Sequence, residues 1–87
     1  MEISNIKIRL LNRGESKLKA VASFVIDDCI AVHDIKIIEN ERGRIIAMPA
    51  KKMENGSYKD LVHPINTETR NLLTESILKE YKKTIEV

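Results

Sequence analysis

Leu18–Ile26 (LKAVASFVI), Asp27–Asp28 and Cys29–Ile38 (CIAVHDIKII) set the architecture of this chain. The first run is apolar on both faces, which places it inside a sheet and not at its edge. The second is β-branched through much of its length and suits a pleated, half-buried surface. Two strands parted by a polar dipeptide can only return on one another, so residues 18–38 predict an antiparallel hairpin.

On the N-terminal side, Ile6, Ile8 and Leu10 alternate with Lys7 and Arg9, the period-2 pattern of a half-buried strand. Asn12-Arg13-Gly14 ends it in a turn. On the C-terminal side, Glu39–Arg44 (ENERGR) predicts a charged loop, and Ile45–Met48 (IIAM) a short strand stopped by Pro49, which has no N–H to give a ladder. Ala50–Ser57 holds Asn55-Gly56, the strongest short turn signal in the chain, and Tyr58–Val62 predicts a returning strand that ends near Pro64. From Thr67 the period changes. Leu73, Ile77, Tyr81 and Ile85 recur every four residues and form one stripe on a helix. Asn66 precedes it as N-cap, and Lys82 and Lys83 suit the negative end of its dipole.

The 87 residues thus predict a single domain, with strands over about 2–62 and a helix over about 67–86. Its class is α+β: two layers, an antiparallel sheet of four to five strands followed by a C-terminal helix. So short a chain buries only roughly 60–65% of its unfolded surface. With only Phe24, Tyr58 and Tyr81 as aromatic residues, its core must come from Ile, Val, Leu and Ala. Such domains gain stability by covering a face with a second copy, so a homodimer is expected.

At 43% hydrophobic and 32% charged, the composition is that of a folded domain and not of a disordered tail. No apolar run approaches the ~20 residues of a membrane span. The N-terminus MEISNIKIRLL has no apolar leader core, and the single cysteine, Cys29, excludes an internal disulfide framework. Both point to the cytoplasm.

Charge is patterned. Residues 6–26 carry five basic residues against Glu15, residues 27–41 five acidic residues against Lys36, and residues 42–59 five basic residues against Glu54. Two basic blocks flank an acidic one. If the loop from Pro49 to Lys59 projects, then Lys51, Lys52 and Lys59 form a cationic claw able to displace counterions from a polyphosphate. The alternative is an ordinary solvated lysine-rich surface.

No catalytic or metal motif stands out. His33 and His63 lie on different segments without ligands at zinc spacing, so structural roles are expected: His33 satisfied within a strand, His63 pinning the turn before Pro64. Cys29 follows two aspartates and reads as a buried, inert thiol. Asp27-Asp28 reads as a turn and not as a carboxylate pair. The chain has no GxGxxG, GxxxxGK[ST] or HExxH. No enzyme, cofactor or metal is expected; only His33 and His63 converging in one deep pocket would argue otherwise. Three aromatics cannot make a base-stacking platform, although Tyr58 alone could stack a base, so Lys and Arg contact to phosphate is the favoured mode.

Val32–Ile38 (VHDIKII), Ile46–Lys52 (IAMPAKK), Gly56–Asn66 (GSYKDLVHPIN), Arg70 and Ile77–Tyr81 (ILKEY) together resemble the SpoVG, or stage V sporulation protein G, family of bacterial septation proteins. The resemblance covers nearly the whole chain. It implies a small cytosolic bacterial protein, dimeric through its sheet, linked to septum formation and sporulation. It further implies a regulator that binds DNA, and in some members RNA, through the basic pair after the AMP segment. That pair matches Lys51 and Lys52; Lys59 and Arg9 match further basic positions, and Arg44 would widen the surface. Asn55 and Gly56 would shape the loop, in place of the family's usual Pro-Asp-Gly. A Lys-Lys pair replaces the usual Lys-Arg or Arg-Arg. Lysine lacks the fork that reads guanine edges, which favours phosphate affinity over sequence reading. The other function compatible with the resemblance is a protein–protein adaptor in septum formation that uses the sheet edges or the acidic block.

Overall fold

The computed structural model describes residues 1–11, 14 and 16–86. Strands β1 (Ile3–Leu10), β2 (Leu18–Ile26), β3 (Ile30–Asn40) and β4 (Gly43–Ala47) form one antiparallel sheet in the order β1-β2-β3-β4. Strands β5 (Ala50–Lys52) and β6 (Tyr58–Asp60) pair only with each other, and helix α1 (Thr67–Ile85) closes the chain. The α+β class and the interior position of β2 are as expected. Of the expected turn after β1, Gly14 has φ +64°, while Asn12 and Arg13 lie outside the described residues.

The hairpin forms because Asp27 and Asp28 both take left-handed backbone, φ +49° and +53°, which short Asx side chains tolerate. The Cys29 N–H donates to the Ile26 carbonyl at 2.9 Å. Cys29 therefore closes the turn instead of opening β3, and its thiol is exposed and not buried as expected.

Helix α1 crosses the inner face of the sheet from β1 to β4. Ala20, Ala22 and Phe24 of β2 and Val32, Ile35 and Ile37 of β3 bury against Leu73, Ile77 and Tyr81 of the helix. Only this inner face of β2 joins the core; its other face is half-buried. Asn66 caps the helix, its Oδ1 accepting from the Thr69 N–H at 2.7 Å. The fourth residue of the expected stripe, Ile85, is 40% exposed, because the last turn carries it past the packed residues.

The charged loop expected over Glu39–Arg44 is a tight turn, with Glu39 paired to Arg44 and Asn40 to Gly43. Cross-strand attraction extends the ladder to the turn: Arg44 Nε lies 3.2 Å from Glu39 Oε1. The Asn40 side chain also accepts from the Arg42 N–H at 2.9 Å. The returning strand is shorter than Tyr58–Val62 and does not add a fifth strand to the main sheet. Pro49 cannot continue the ladder, and its carbonyl instead accepts from the Leu61 N–H at 2.7 Å, closing a separate two-stranded arm at its root. The arm gives the chain a radius of gyration of 13.3 Å, against about 12 Å for a compact domain of this length.

Candidate functional site

The arm runs from Ala50 to Asp60, and every residue from Ala50 to His63 is exposed. At its tip the Met53 N–H donates to the Ser57 carbonyl at 2.7 Å, and the Gly56 N–H to the Met53 carbonyl at 3.0 Å. Asn55 Oδ1 accepts from the Ser57 N–H and from Ser57 Oγ, at 3.0 and 2.7 Å. Gly56 sits at φ +88°, where a side chain would be strained. Asn55 and Gly56 thus shape the loop.

The register of the arm sorts its lysines. Lys51 stands directly opposite Lys59, and Lys52 directly opposite Tyr58. Side chains alternate faces along a strand, so Lys51 and Lys59 share one face of the ribbon while Lys52 and Tyr58 share the other. The arm is therefore cationic on both faces and not a claw with all its lysines on one side. Like charges directly opposite one another cost pairing energy. Among the described residues no carboxylate lies within 4.0 Å of these lysines to offset it. Tyr58 is 69% exposed.

The remaining basic residues lie apart from the arm. Arg9 is exposed on β1, in a cross-strand row with Val21, Lys36 and Ala47. Arg44 is engaged on the helix side, its guanidinium carbon 5.1 Å from the centre of the Tyr81 ring and its Nε against Glu39. Sequence reasoning passed over Lys7 and Lys36, which lie on the same outer face as Arg9; the strand alternation that exposed Arg9 also marked Lys7.

The histidines stay apart. His33 is exposed at a bulge of β3 and lines an open cavity with Lys7 and Arg9; it is not enclosed within the sheet as expected. His63 sets its Nδ1 3.1 Å from the Pro64 carbonyl, in the turn expected of it. Beyond the arm, the apolar side chains of Leu61, Val62 and Ile65 stand 64%, 44% and 88% exposed. No helix of the described chain is long and apolar enough to cross a membrane.

The sequence profile of the SpoVG family matches residues 1–83. A protein named "Putative septation protein SpoVG" from Phytoplasma australiense is 51% identical over 82 residues, 94% of this chain and 84% of the relative. A protein of the same name from Thermoanaerobacter sp. (strain X514) is 52% identical over 83 residues, 95% of this chain and 89% of the relative. A third, from Agathobacter rectalis, is 50% identical over 86 residues, 99% of this chain and 98% of the relative.

Proposed function

The chain belongs to the SpoVG family, and we propose that it acts as a nucleic-acid-binding regulator linked to cell division or sporulation, working as a cytoplasmic homodimer. DNA is the first ligand of this reading and RNA the second. The observation that carries it is the arm: a fully exposed ribbon whose Lys51 and Lys59 face each other and whose Lys52 flanks an exposed tyrosine. A like-charged pair held in register and left open to solvent costs stability and is relieved by a bound phosphate. Lys51, Lys52 and Lys59 hold the phosphate backbone, and Arg9 widens the cationic surface. Arg44 contributes through its charge alone, because its guanidinium is already engaged. No step of this reading involves catalysis, a metal or a cofactor.

The homodimer forms through the sheet, whose edge strands β1 and β4 each leave a row of backbone groups unpaired. Two arms in one particle double the phosphate contacts. Lys51→Ala with Lys52→Ala removes about four contacts from a dimer and lowers the salt slope on duplex DNA by up to ~3.6. The test is a fluorescence-anisotropy titration of duplex DNA across a range of salt; an unchanged slope rejects the arm as the grip.

A second reading, a protein–protein adaptor in septum formation, is favoured by the exposed Leu61, Val62 and Ile65 at the arm's root. It predicts no appreciable DNA affinity at physiological salt, together with a partner lost on Ile65→Asp.

A further inference from the structure

The outer face of the sheet, opposite the helix, carries a second concentration of positive charge with a shape of its own. Both neighbours of β2 bulge at the same level. Asn5 and Ile6 of β1 stand opposite Phe24 alone, and His33 and Asp34 of β3 stand opposite Ser23 alone. Each bulge holds a non-glycine residue in the left-handed region, Asn5 at φ +49° and Asp34 at φ +63°. The two bulges thus flank adjacent residues of β2, held by short Asx side chains that tolerate the left-handed region, and they turn the outer face locally.

Beside the bulges lie two open cavities that share Val21 and Asp34. One, of about 250 Å³, takes Lys7, Arg9, Ser23 and His33 into its lining. The other, of about 270 Å³, is bounded by Lys36 and by Pro49, Ala50 and Leu61 at the root of the arm. Together they make a shallow trough from the β1 edge to the arm. Arg9 and Lys36 flank Val21 in one cross-strand row, and Lys7 stands opposite Ser23 in the next. Strands lie ≈ 4.8 Å apart, so the backbones of Arg9 and Lys36 are about 10 Å apart across the trough. Three cations face one carboxylate, that of Asp34, with an apolar floor at Val21.

We propose that this trough holds the sugar–phosphate backbone of a single nucleic-acid strand on Lys7, Arg9 and Lys36, continuing the path from the arm onto the sheet. The inference rests on the reading of the arm as a nucleic-acid grip and adds Lys7 and Lys36 to it. Charge complementarity selects a polyanion. Flexibility selects one strand, since a single strand can follow the twisted sheet past Lys7, Arg9 and Lys36, whereas a duplex, stiff over about 150 bp, cannot bend into the trough. The arm, exposed on both faces, meets either form.

The test compares an oligothymidylate of about 20 nucleotides, longer than the ≈ 4–16-nucleotide footprint of a single-strand module, with a duplex of equal length. Anisotropy titrations across a range of salt are run on the full chain, on Lys7→Gln/Lys36→Gln and on Lys51→Gln/Lys52→Gln. All four side chains are exposed, so the variants fold, and their circular dichroism and melting confirm it. The trough variant should lose about 0.7 of single-strand salt slope per lysine, ~1.4 per subunit, and keep its duplex slope; the arm variant should lose slope on both ligands. An unchanged single-strand slope in the trough variant overturns the trough and leaves the arm standing. An equal loss on the duplex overturns the assignment to one strand. Unchanged slopes in the arm variant reject the underlying reading instead.

Discussion

The β2–β3 hairpin and the β5–β6 arm are both antiparallel ribbons closed by short turns, yet they sit at opposite ends of the energy scale. In the first, one face meets a helix, and Phe24, Ile35 and Ile37 lose nearly all contact with water. In the second, every residue is exposed. An isolated two-stranded hairpin is at best marginally stable in water. The arm persists because its ends are fixed: Pro49 joins it to β4, and the Leu61 N–H bonds back to the Pro49 carbonyl. The difference teaches where this protein keeps its stability and where it can carry unbalanced charge. Lysines facing one another inside the main sheet would undermine the whole fold, whereas on the arm their repulsion stays local.

The largest effect should come from the core. Ile77 is completely buried between the helix and the sheet, and Ile77→Ala should cost about 2–5 kcal/mol, through lost burial and the cavity left behind. Chemical denaturation checks this. A loss below about 1 kcal/mol, roughly what one buried methylene contributes, would show that the helix is not what holds the sheet. Next comes the cap. Asn66→Ala removes the acceptor of the Thr69 N–H and should cost about 1 kcal/mol of global stability. Gly56→Ala, on the arm, imposes a side chain at φ +88° and strains the tip by about 1 kcal/mol or more. Its effect should nevertheless be invisible in the global melt and appear only as faster hydrogen exchange at the amides of residue 56 and Ser57. If Gly56→Ala lowered the melting temperature as much as Asn66→Ala, arm and core would be one cooperative unit and the contrast would fail.

What could be read in advance follows the same division. The hairpin was legible because its strands are apolar and its break is two aspartates. The helix was legible because its period and its Asn66 cap agree. The arm's turn was legible in Asn55-Gly56, but its separation from the sheet was not: Ala50–Lys52 and Tyr58–Asp60 state that they are extended and do not state their partner. Pro49 was the available signal, since a residue without an N–H ends a ladder. The bulges were invisible, because asparagine and aspartate are common outside the left-handed region and only the backbone angles show Asn5 and Asp34 to be there. Lys51 and Lys52, adjacent in sequence, read as one cluster because the segment after Pro49 reads as a loop; as strand β5, its register sends them to opposite faces.

That register gives the smallest stability effect and the one that most directly joins the arm's energetics to its use. Lys59→Glu converts a like-charged cross-strand pair with Lys51 into an opposite-charged one. Such pairs contribute roughly 0.2–1 kcal/mol, less at an exposed site in salt. The gain is confined to the ribbon, so the melting temperature should not move. Amide exchange at Lys51 and Lys59 should slow, because the arm opens less often. Polyanion binding should weaken more than in Lys59→Gln, since a neutral residue only removes a contact while a carboxylate also repels phosphate and occupies Lys51. A residue kept for folding would improve function when its pairing improves; here the better-paired ribbon should be the poorer binder. If Lys59→Glu instead left both exchange and binding unchanged, Lys51 and Lys59 would not be neighbours in solution, and the argument from their repulsion would lose its footing.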